Sequence, residues 1–183
     1  VYLRDMVNGH AWSASAEPLP ADENAESRVL FGIDKAEFIR TEHGIMTNLE
    51  ITVSPQEPYE LRRLFISNQS KQERTIEVTS YLEPVLTTAQ SDRAHPAFNR
   101  LFVETEYMSD RHLLISHRRT SGDEPEHYLG HQLILPEGNL SVEFEIDRFG
   151  FIGRDNTLSK PDALFTGRVH SCRQGFCPDP VLS

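Results

Sequence analysis

The stretch EPYELRRLFISNQSKQERTIEVTSYLEPVL, residues 57–86, decides the fold class that the sequence predicts. Apolar and polar side chains alternate from Ile76 to Leu82, and residues 61–66 carry apolar side chains on both faces of an extended chain. Residues 68–72, NQSKQ, are polar and turn-forming. Two runs of β-forming residues joined by about five turn residues are typical of an antiparallel hairpin. We therefore predict a β-hairpin of packing residues here and expect any functional site at its edges.

Strand patterns continue on both sides of this stretch. Asn8-Gly9 is the dipeptide that best forms a type I′ turn, so a first hairpin is predicted around it. Residues 87–98 are predicted to be a loop, because Pro96 favours an extended residue before it. The helix candidates, residues 36–39 and 162–165, are too short to be stable alone. The other predicted elements, read mainly as strands, are residues 28–32, 36–43, 46–54, 101–107, 112–117, 127–135 and 140–147.

Many short strands separated by turn residues predict an all-β protein in which antiparallel sheets stack face to face. A chain of 183 residues can bury one substantial core, so we predict a single β-sandwich module over residues 1–183. The chain begins at Val1 without an initiator Met, and we expect it to be a segment of a longer polypeptide, here called the parent. The predicted core residues are Leu49, Ile51, Val53, Leu64, Ile66, Ile76, Val78, Leu133, Leu135, Val142, Phe144 and Ile146.

Charge and hydropathy argue against two kinds of partner. The formal net charge of −10 would repel a phosphate backbone, so nucleic acid is not an expected partner. The sequence contains no run of about 18 apolar residues and no signal-peptide pattern, so direct membrane contact is not expected either.

Two pairs of carboxylates lie two residues apart on predicted strands. Glu104 and Glu106 would point to one face of a sheet, as would Glu143 and Glu145, and such pairs could act as general acid and base. The same two-residue period also places charges in water when the opposite face is apolar. We therefore interpret both pairs as solvated and predict no catalytic residue.

Histidines and cysteines offer two further candidate groups. His127 and His131 are four residues apart, but nearby proline and glycine argue against a helix, and on a strand their side chains would be about 13 Å apart. His170, Cys172 and Cys177 provide three potential zinc ligands without a fourth nearby. We predict local loop thiols or a disulfide, with no metal and no cofactor.

The segment RFGFIGR, residues 148–154, is the best candidate for ligand contact. The rings of Phe149 and Phe151 could stack on sugar faces, and the guanidinium groups of Arg148 and Arg154 could bind hydroxyl or phosphate oxygens. Its two glycines permit close backbone approach, so both rings are expected to project from a bent loop. Packing on an adjoining domain explains the same residues, and substrate binding and domain docking both stay open.

Long ordered strings resemble a known family. They are YLRDMVNGHAWSASAEPLP (residues 2–20), residues 37–86, AHPAFNRLFVETEY (94–107), DRFGFIGRDNTLSKPDAL (147–164) and DPVLS (179–183). These strings resemble the non-catalytic β-sandwich module of cyclic β-1,2-glucan synthases. They are more loosely similar to the amino-terminal domain of cellobiose-phosphorylase-like enzymes of glycoside hydrolase family 94, formerly glycosyltransferase family 36. Residues 168–177 depart from the family pattern, which has a shorter glycine-rich turn there.

The resemblance implies an antiparallel super-sandwich of the galactose-mutarotase-like type that has no catalysis of its own. It also implies that the adjoining domains of the parent are partners, with β-glucan as a further candidate partner. The parent is expected at the bacterial inner membrane, with this module soluble and cytoplasmic. Two alternatives stay open: an independent carbohydrate-binding module, and a small mutarotase-like epimerase.

Overall fold

The computed structural model of the protein describes residues 1–120, 125–136, 138, 140–166 and 175–183. These residues form eleven β-strands and four short α-helices, and the strands within each sheet pair antiparallel, which confirms the predicted all-β class. None of the helices in the described part of the chain is long and apolar enough to cross a bilayer. The chain divides into two compact units, Val1–Thr79 and Ser80–Ser183. A single module over residues 1–183 stays a prediction.

The first unit contains two antiparallel sheets. The smaller sheet has the order β2-β1-β7 and the larger one has the order β3-β4-β5-β6. The strands are β1 (Tyr2–Asp5), β2 (Ala11–Ser13), β3 (Glu26–Phe31), β4 (Ala36–Glu42), β5 (Ile45–Val53), β6 (Glu60–Asn68) and β7 (Ile76–Thr79).

The core of the first unit lies between these sheets. The small sheet and the residue after it contribute Leu3, Trp12 and Ala14, and β5 contributes Ile45 and Leu49. All five side chains are buried, so removal of their apolar surface from water is the main force that holds the two sheets together.

The predicted hairpin over residues 57–86 is wrong, because its two strands belong to different sheets. β6 pairs with β5 along its whole length, from Ile45 opposite Asn68 to Val53 opposite Glu60. β7 pairs instead with β1. Strand length favours this pairing. β5 and β6 each have nine residues, whereas β7 has four and could form hydrogen bonds with only part of the backbone of β6.

The first predicted hairpin is confirmed, but its predicted turn type is wrong. β1 and β2 pair antiparallel, and of the two turn residues only Gly9 has positive φ, at 74°. A type I′ turn needs positive φ at both central residues. That geometry occurs at His43-Gly44, with φ of 49° and 77°, which joins Glu42 of β4 to Ile45 of β5.

The second unit is built on a sheet of order β10-β9-β8-β11. Its core contains Leu114, Ile146, Cys177 and Leu182. The elements are α1 (Ala89–Ala94), α2 (Pro96–Arg100), β8 (Val103–Met108), β9 (Leu113–Arg118), β10 (Tyr128–Gln132), α3 (Arg148–Ile152), α4 (Asp162–Thr166) and β11 (Gly175–Phe176). The weak helix candidate at residues 162–165 is therefore confirmed, whereas the one at residues 36–39 is wrong because Ala36 begins β4.

Two predicted elements of the second unit are wrong. Residues 140–147 do not form a regular strand; their end pairs only briefly with the chain terminus, through a reciprocal pair of backbone hydrogen bonds between Glu145 and Ser183 and one from Val181 N to Ile146 O at 2.9 Å. Pro180 in that terminal segment has no N–H to donate, which limits a continuous ladder. The predicted loop over residues 87–98 contains α1 and the start of α2, where Thr88 caps α1 and Pro96 occupies the first turn of α2.

The predicted core list is only partly confirmed. Leu49 and Ile146 are buried. Half-buried residues that pack against the core clusters are Ile51, Leu64, Ile76 and Phe144, and Leu135 and Val142 are also half-buried. The prediction is wrong for the exposed residues Val53, Ile66, Val78 and Leu133. Strands of three or four residues in the small sheet cannot cover all of the nine-residue β5 and β6, and residue 133 lies beyond the end of β10.

Candidate functional site

The segment selected from the sequence for ligand contact is a short helix and not the predicted loop. The carboxylate of Asp147 accepts a hydrogen bond of 2.9 Å from the backbone N–H of Phe149 and so caps α3. Gly153 ends the helix with φ of 87°, a conformation that glycine adopts without steric cost. Sequence reasoning missed this helix because five residues give too little periodicity to detect.

The two glycines of the segment do lie against other groups, but those groups belong to the chain itself. A Cβ at Gly150 would be 2.6 Å from Oε2 of Glu145, and a Cβ at Gly153 would be 2.0 Å from Oδ2 of Asp162. Glycine at these positions is therefore explained by packing within the second unit.

Phe149 and Phe151 point to different sides of α3. Successive helical residues are rotated by about 100°, so side chains two positions apart lie on nearly opposite faces. The Phe149 side chain is 63% exposed, whereas Phe151 is 1% exposed and its ring centroid lies 4.7 Å from that of Tyr81. The prediction that both rings project is thus wrong for Phe151, which supports the helix from its buried side.

Arg148 joins a network of two arginines and two carboxylates. Its Nε donates to Oε1 of Glu83 at 3.1 Å, and its Nη1 lies 3.9 Å from Oδ2 of Asp179. Arg100 donates to the other oxygens of the same two carboxylates, to Glu83 at 2.9 Å and to Asp179 at 2.5 Å. The hydroxyl of Tyr81 also donates to Glu83, at 2.8 Å. Opposite charges balance within the network, and it fixes the start of α3 to α2 and the chain terminus.

The network favours the ionised forms of Glu83 and Arg148. Burial acts to raise the pKa of Glu83, but hydrogen bonds from Tyr81 and Arg148 and the charge of Arg100 outweigh it, so the pKa lies below its usual value. Burial likewise acts to lower the pKa of Arg148, and the contact with Glu83 raises it overall. A carboxylate with a lowered pKa is a poor proton donor at neutral pH. Arg154, the remaining predicted site residue, follows the C-terminal end of α3 and is exposed.

The paired carboxylates have different environments. Glu104 is half-buried beside Arg119, whose Nε lies 2.9 Å from Oε1, and Glu106 is exposed. The prediction of a solvated pair is wrong for Glu145, which is buried although Glu143 is exposed. Oε1 of Glu145 accepts hydrogen bonds of 2.8 Å from the backbone N–H groups of residues 146 and 147, which explains how a carboxylate is accommodated there.

The predicted histidine and cysteine groups are only partly described. Nε2 of His131 lies 2.7 Å from Oγ of Ser80, and His127 is exposed. His170 and Cys172 lie outside the described residues. Cys177 is buried, and burial raises the pKa of its thiol to about 11, so it is not a nucleophile at neutral pH.

Sequence reasoning missed one cluster of potential metal ligands, in the first unit. His10, Glu42 and His43 each place one ligand atom within 4.8 Å of the others. The three residues come from two separate loops and a strand end, so no spacing motif joins them. The available signal was a histidine followed by glycine at the predicted end of a strand.

Comparison with known proteins identifies the family. The model of the family "Glycosyl hydrolase 94, supersandwich domain" matches residues 1–183. The chain belongs to this supersandwich domain family. The predicted family resemblance and the antiparallel super-sandwich are thereby confirmed.

Among relatives, the domain is 36% identical over 188 aligned residues to cyclic beta-(1,2)-glucan synthase NdvB of Rhizobium meliloti (strain 1021). That alignment covers all of this chain and 6% of the relative. The domain is also 27% identical over 175 residues to N,N'-diacetylchitobiose phosphorylase of Vibrio proteolyticus, covering 95% of this chain and 21% of the relative. A phosphorylase of the same name from Vibrio furnissii is 29% identical over 108 residues, 58% of this chain and 14% of the relative. The domain thus spans a small part of each relative.

Proposed function

We propose that this supersandwich domain is a non-catalytic, carbohydrate-associated module of a cyclic β-1,2-glucan synthase or a related glucan phosphorylase. The observation that carries the proposal is the match of the whole chain to 6% of a cyclic glucan synthase. Such a relative has a large remainder in which catalysis can reside, and in this proposal the parent is the glycosyltransferase or phosphorylase. The location of the parent at the bacterial inner membrane, with this module in the cytoplasm, stays a prediction.

The chemistry of the second unit supports a structural role. Glu83 is held ionised between two arginines, and the carboxylate of Glu145 accepts hydrogen bonds from two backbone amides. Cys177 is buried with a raised pKa. Each of these reactive groups is thus committed to stabilising the fold.

We assign domain docking to the exposed surface at α3, formed by Arg148 and Phe149 of the helix and by Arg154, which follows it. Phe149 presents a largely exposed ring on a helix that is fixed by its cap and by the arginine-carboxylate network. Aromatic and arginine side chains are enriched where protein surfaces meet, because they bury large area and form several hydrogen bonds. The proposed occupant is an adjoining domain of the parent, since the relatives extend far beyond the matched region.

The test is substitution in the full-length parent. Phe149→Ala should lower glucan synthesis or domain association by about tenfold, as expected when an interface aromatic that contributes 1–2 kcal/mol is removed. Phe98→Ala is the matched control, because Phe98 is 58% exposed and also lies on a five-residue helix of the same unit. Equal effects of the two substitutions would contradict docking at α3.

The alternatives predict different results for the isolated chain. A carbohydrate-binding module would bind β-1,2-linked oligoglucans in a calorimetric titration, with an affinity that Phe149→Ala weakens. An epimerase would interconvert sugar anomers. The proposed module does neither by itself.

A further inference from the structure

Two loops and a strand end of the first unit bring two imidazoles and a carboxylate together. His10 lies in the connection between β1 and β2, Glu42 is the last residue of β4, and His43 begins the turn to β5. Nε2 of His10 lies 2.9 Å from Oε1 of Glu42, and the ring centroids of His10 and His43 are 4.0 Å apart. The side chains of His10 and His43 are 31% and 42% exposed, so the group is open to ions from solution.

Glu42 is buried and held in one orientation. Nε of Arg40 donates to Oε2 of Glu42 at 2.7 Å, and Arg40 is itself buried. Nη1 of Arg40 also donates to the backbone carbonyls of Ser13 and Ser15, at 2.9 and 3.0 Å. One oxygen of Glu42 is therefore fixed by the guanidinium group while the other faces His10.

His43 is held toward this carboxylate by the geometry of the β4–β5 turn. It has φ of 49° at the first central position of that two-residue turn, a conformation in which histidine is enriched, and the pairing of Glu42 with Ile45 fixes the turn. Oδ2 of Asp22 lies 3.6 Å from Nε2 of His43 and adds a second carboxylate at the edge of the group.

We propose that His10, Glu42 and His43, with Asp22 as a fourth ligand, bind a divalent transition-metal ion of the Zn²⁺ type. Zn²⁺ takes histidine nitrogen and carboxylate oxygen at about 2.0–2.2 Å in tetrahedral geometry, which puts neighbouring donors about 3.4 Å apart. The three donors lie within 4.8 Å of one another, so their separations exceed that spacing by at most about 1.4 Å. The carboxylates of Glu42 and Asp22 offset part of the positive charge of the ion and of Arg40, and Arg40 holds the oxygen of Glu42 that does not coordinate.

An ordinary ion pair accounts for His10 and Glu42 alone. It does not account for the second imidazole, which the β4–β5 turn places beside the first, 3.6 Å from a carboxylate oxygen of Asp22. A bound ion would tie the β1–β2 connection, the loop that contains Asp22 and the β4–β5 turn to one another, so its role is structural.

The test is titration of metal-free chain, residues 1–183, with ZnCl₂, followed by calorimetry and by thermal unfolding. The wild type should bind one Zn²⁺ per chain and melt at a higher temperature with the ion bound. His43→Asn removes the ligand but keeps the turn, because Asn-Gly is a preferred type I′ pair. Loss of a group that only hydrogen-bonds to a metal ligand weakens metal binding by about 10–100-fold. Loss of His43, a ligand itself, should therefore weaken zinc binding by about 100-fold or more.

The matched control is His112→Asn. His112 also has positive φ, 47°, in a turn of the second unit, and this substitution should leave zinc affinity unchanged. Zinc binding by His43→Asn at wild-type affinity, or no stoichiometric binding by the wild type, would overturn the proposal. A Co²⁺ spectrum of the wild type decides independently of any variant: nitrogen and oxygen ligation supports the site, and a thiolate-to-cobalt band would place the metal on cysteine and overturn it.

Discussion

At the residue scale, stability of the first unit depends on which side chains the small sheet covers. Leu3 is fully buried between the sheets, so Leu3→Ala should lower the free energy of unfolding of this unit by about 2–5 kcal/mol. Ile66 belongs to the core in the sequence prediction but is exposed, and Ile66→Ala should cost less than about 1 kcal/mol. Urea denaturation of the two variants measures both values, and a larger loss for Ile66→Ala would mean that the burial described here is wrong.

Glu83 should make the second unit sensitive to acid. Its pKa is lower in the folded chain than the ordinary value of 4.5, so its stabilising contribution is present above pH 4.5 and is lost as the pH falls through the folded pKa. Glu83→Gln should therefore be destabilised relative to the wild type at pH 7, and the difference should shrink toward pH 3. Leu140→Ala, at an exposed side chain of the same unit that has no titratable group, is the control and should show a difference that hardly varies with pH. The measurement is the free energy of unfolding of the wild type and of Glu83→Gln from pH 7 to pH 3. A difference between them that stayed constant over this range would contradict the role of Glu83.

At the scale of elements, alternation in the sequence predicted individual strands better than their partners. β5 lies within one residue of where the alternation over residues 46–54 places it, because the side chains of Ile45, Thr47 and Leu49 are buried on one face and the two-residue period records that burial. The partner of β6 was predicted wrongly, because proximity in sequence favours the next strand and gives no weight to matching length. The same limit applies to residues 140–147, whose alternation is that of a strand but whose neighbouring segment contains Pro180.

The corrected pairing predicts a distinct pattern of amide exchange. β5 is hydrogen-bonded to β4 and β6, whereas β6, among the residues that the structure describes, pairs only with β5 and forms an edge of its sheet. Residue-resolved hydrogen exchange should therefore show slow exchange throughout β5 and slow exchange at about every second amide of β6. Protection of nearly all β6 amides would mean that β6 has a second partner, as in the hairpin that the sequence first suggested.

The candidate sites show a similar limit. Aromatic and arginine content was enough to select Arg148 and Phe149, but a five-residue helix leaves no periodic signal, so the burial of Phe151 could not be foreseen. The His10, Glu42 and His43 cluster depends on strand register and on a turn with positive φ, and neither is expressed as a spacing in the sequence.

At the scale of the whole molecule, family membership was predictable because long ordered strings cover nearly the entire chain. The family match extends over residues 1–183. The glucan synthase is many times longer than the matched region, and the phosphorylase of Vibrio proteolyticus is several times longer. The proposed role therefore depends on contacts that the domain makes with the rest of its parent, and the exposed ring of Phe149 is where we expect such a contact.

Hydroxyl-radical footprinting of side chains, in the isolated chain and in the full-length parent, tests this role most directly. Phe149 and Phe98 are both largely exposed in the chain, at 63% and 58%, so their rings should be oxidised at comparable rates in isolation. In the parent, we predict that oxidation of Phe149 falls several-fold while that of Phe98 is unchanged, because an adjoining domain covers α3. Equal oxidation of Phe149 in the parent and in the isolated chain would contradict domain docking through α3.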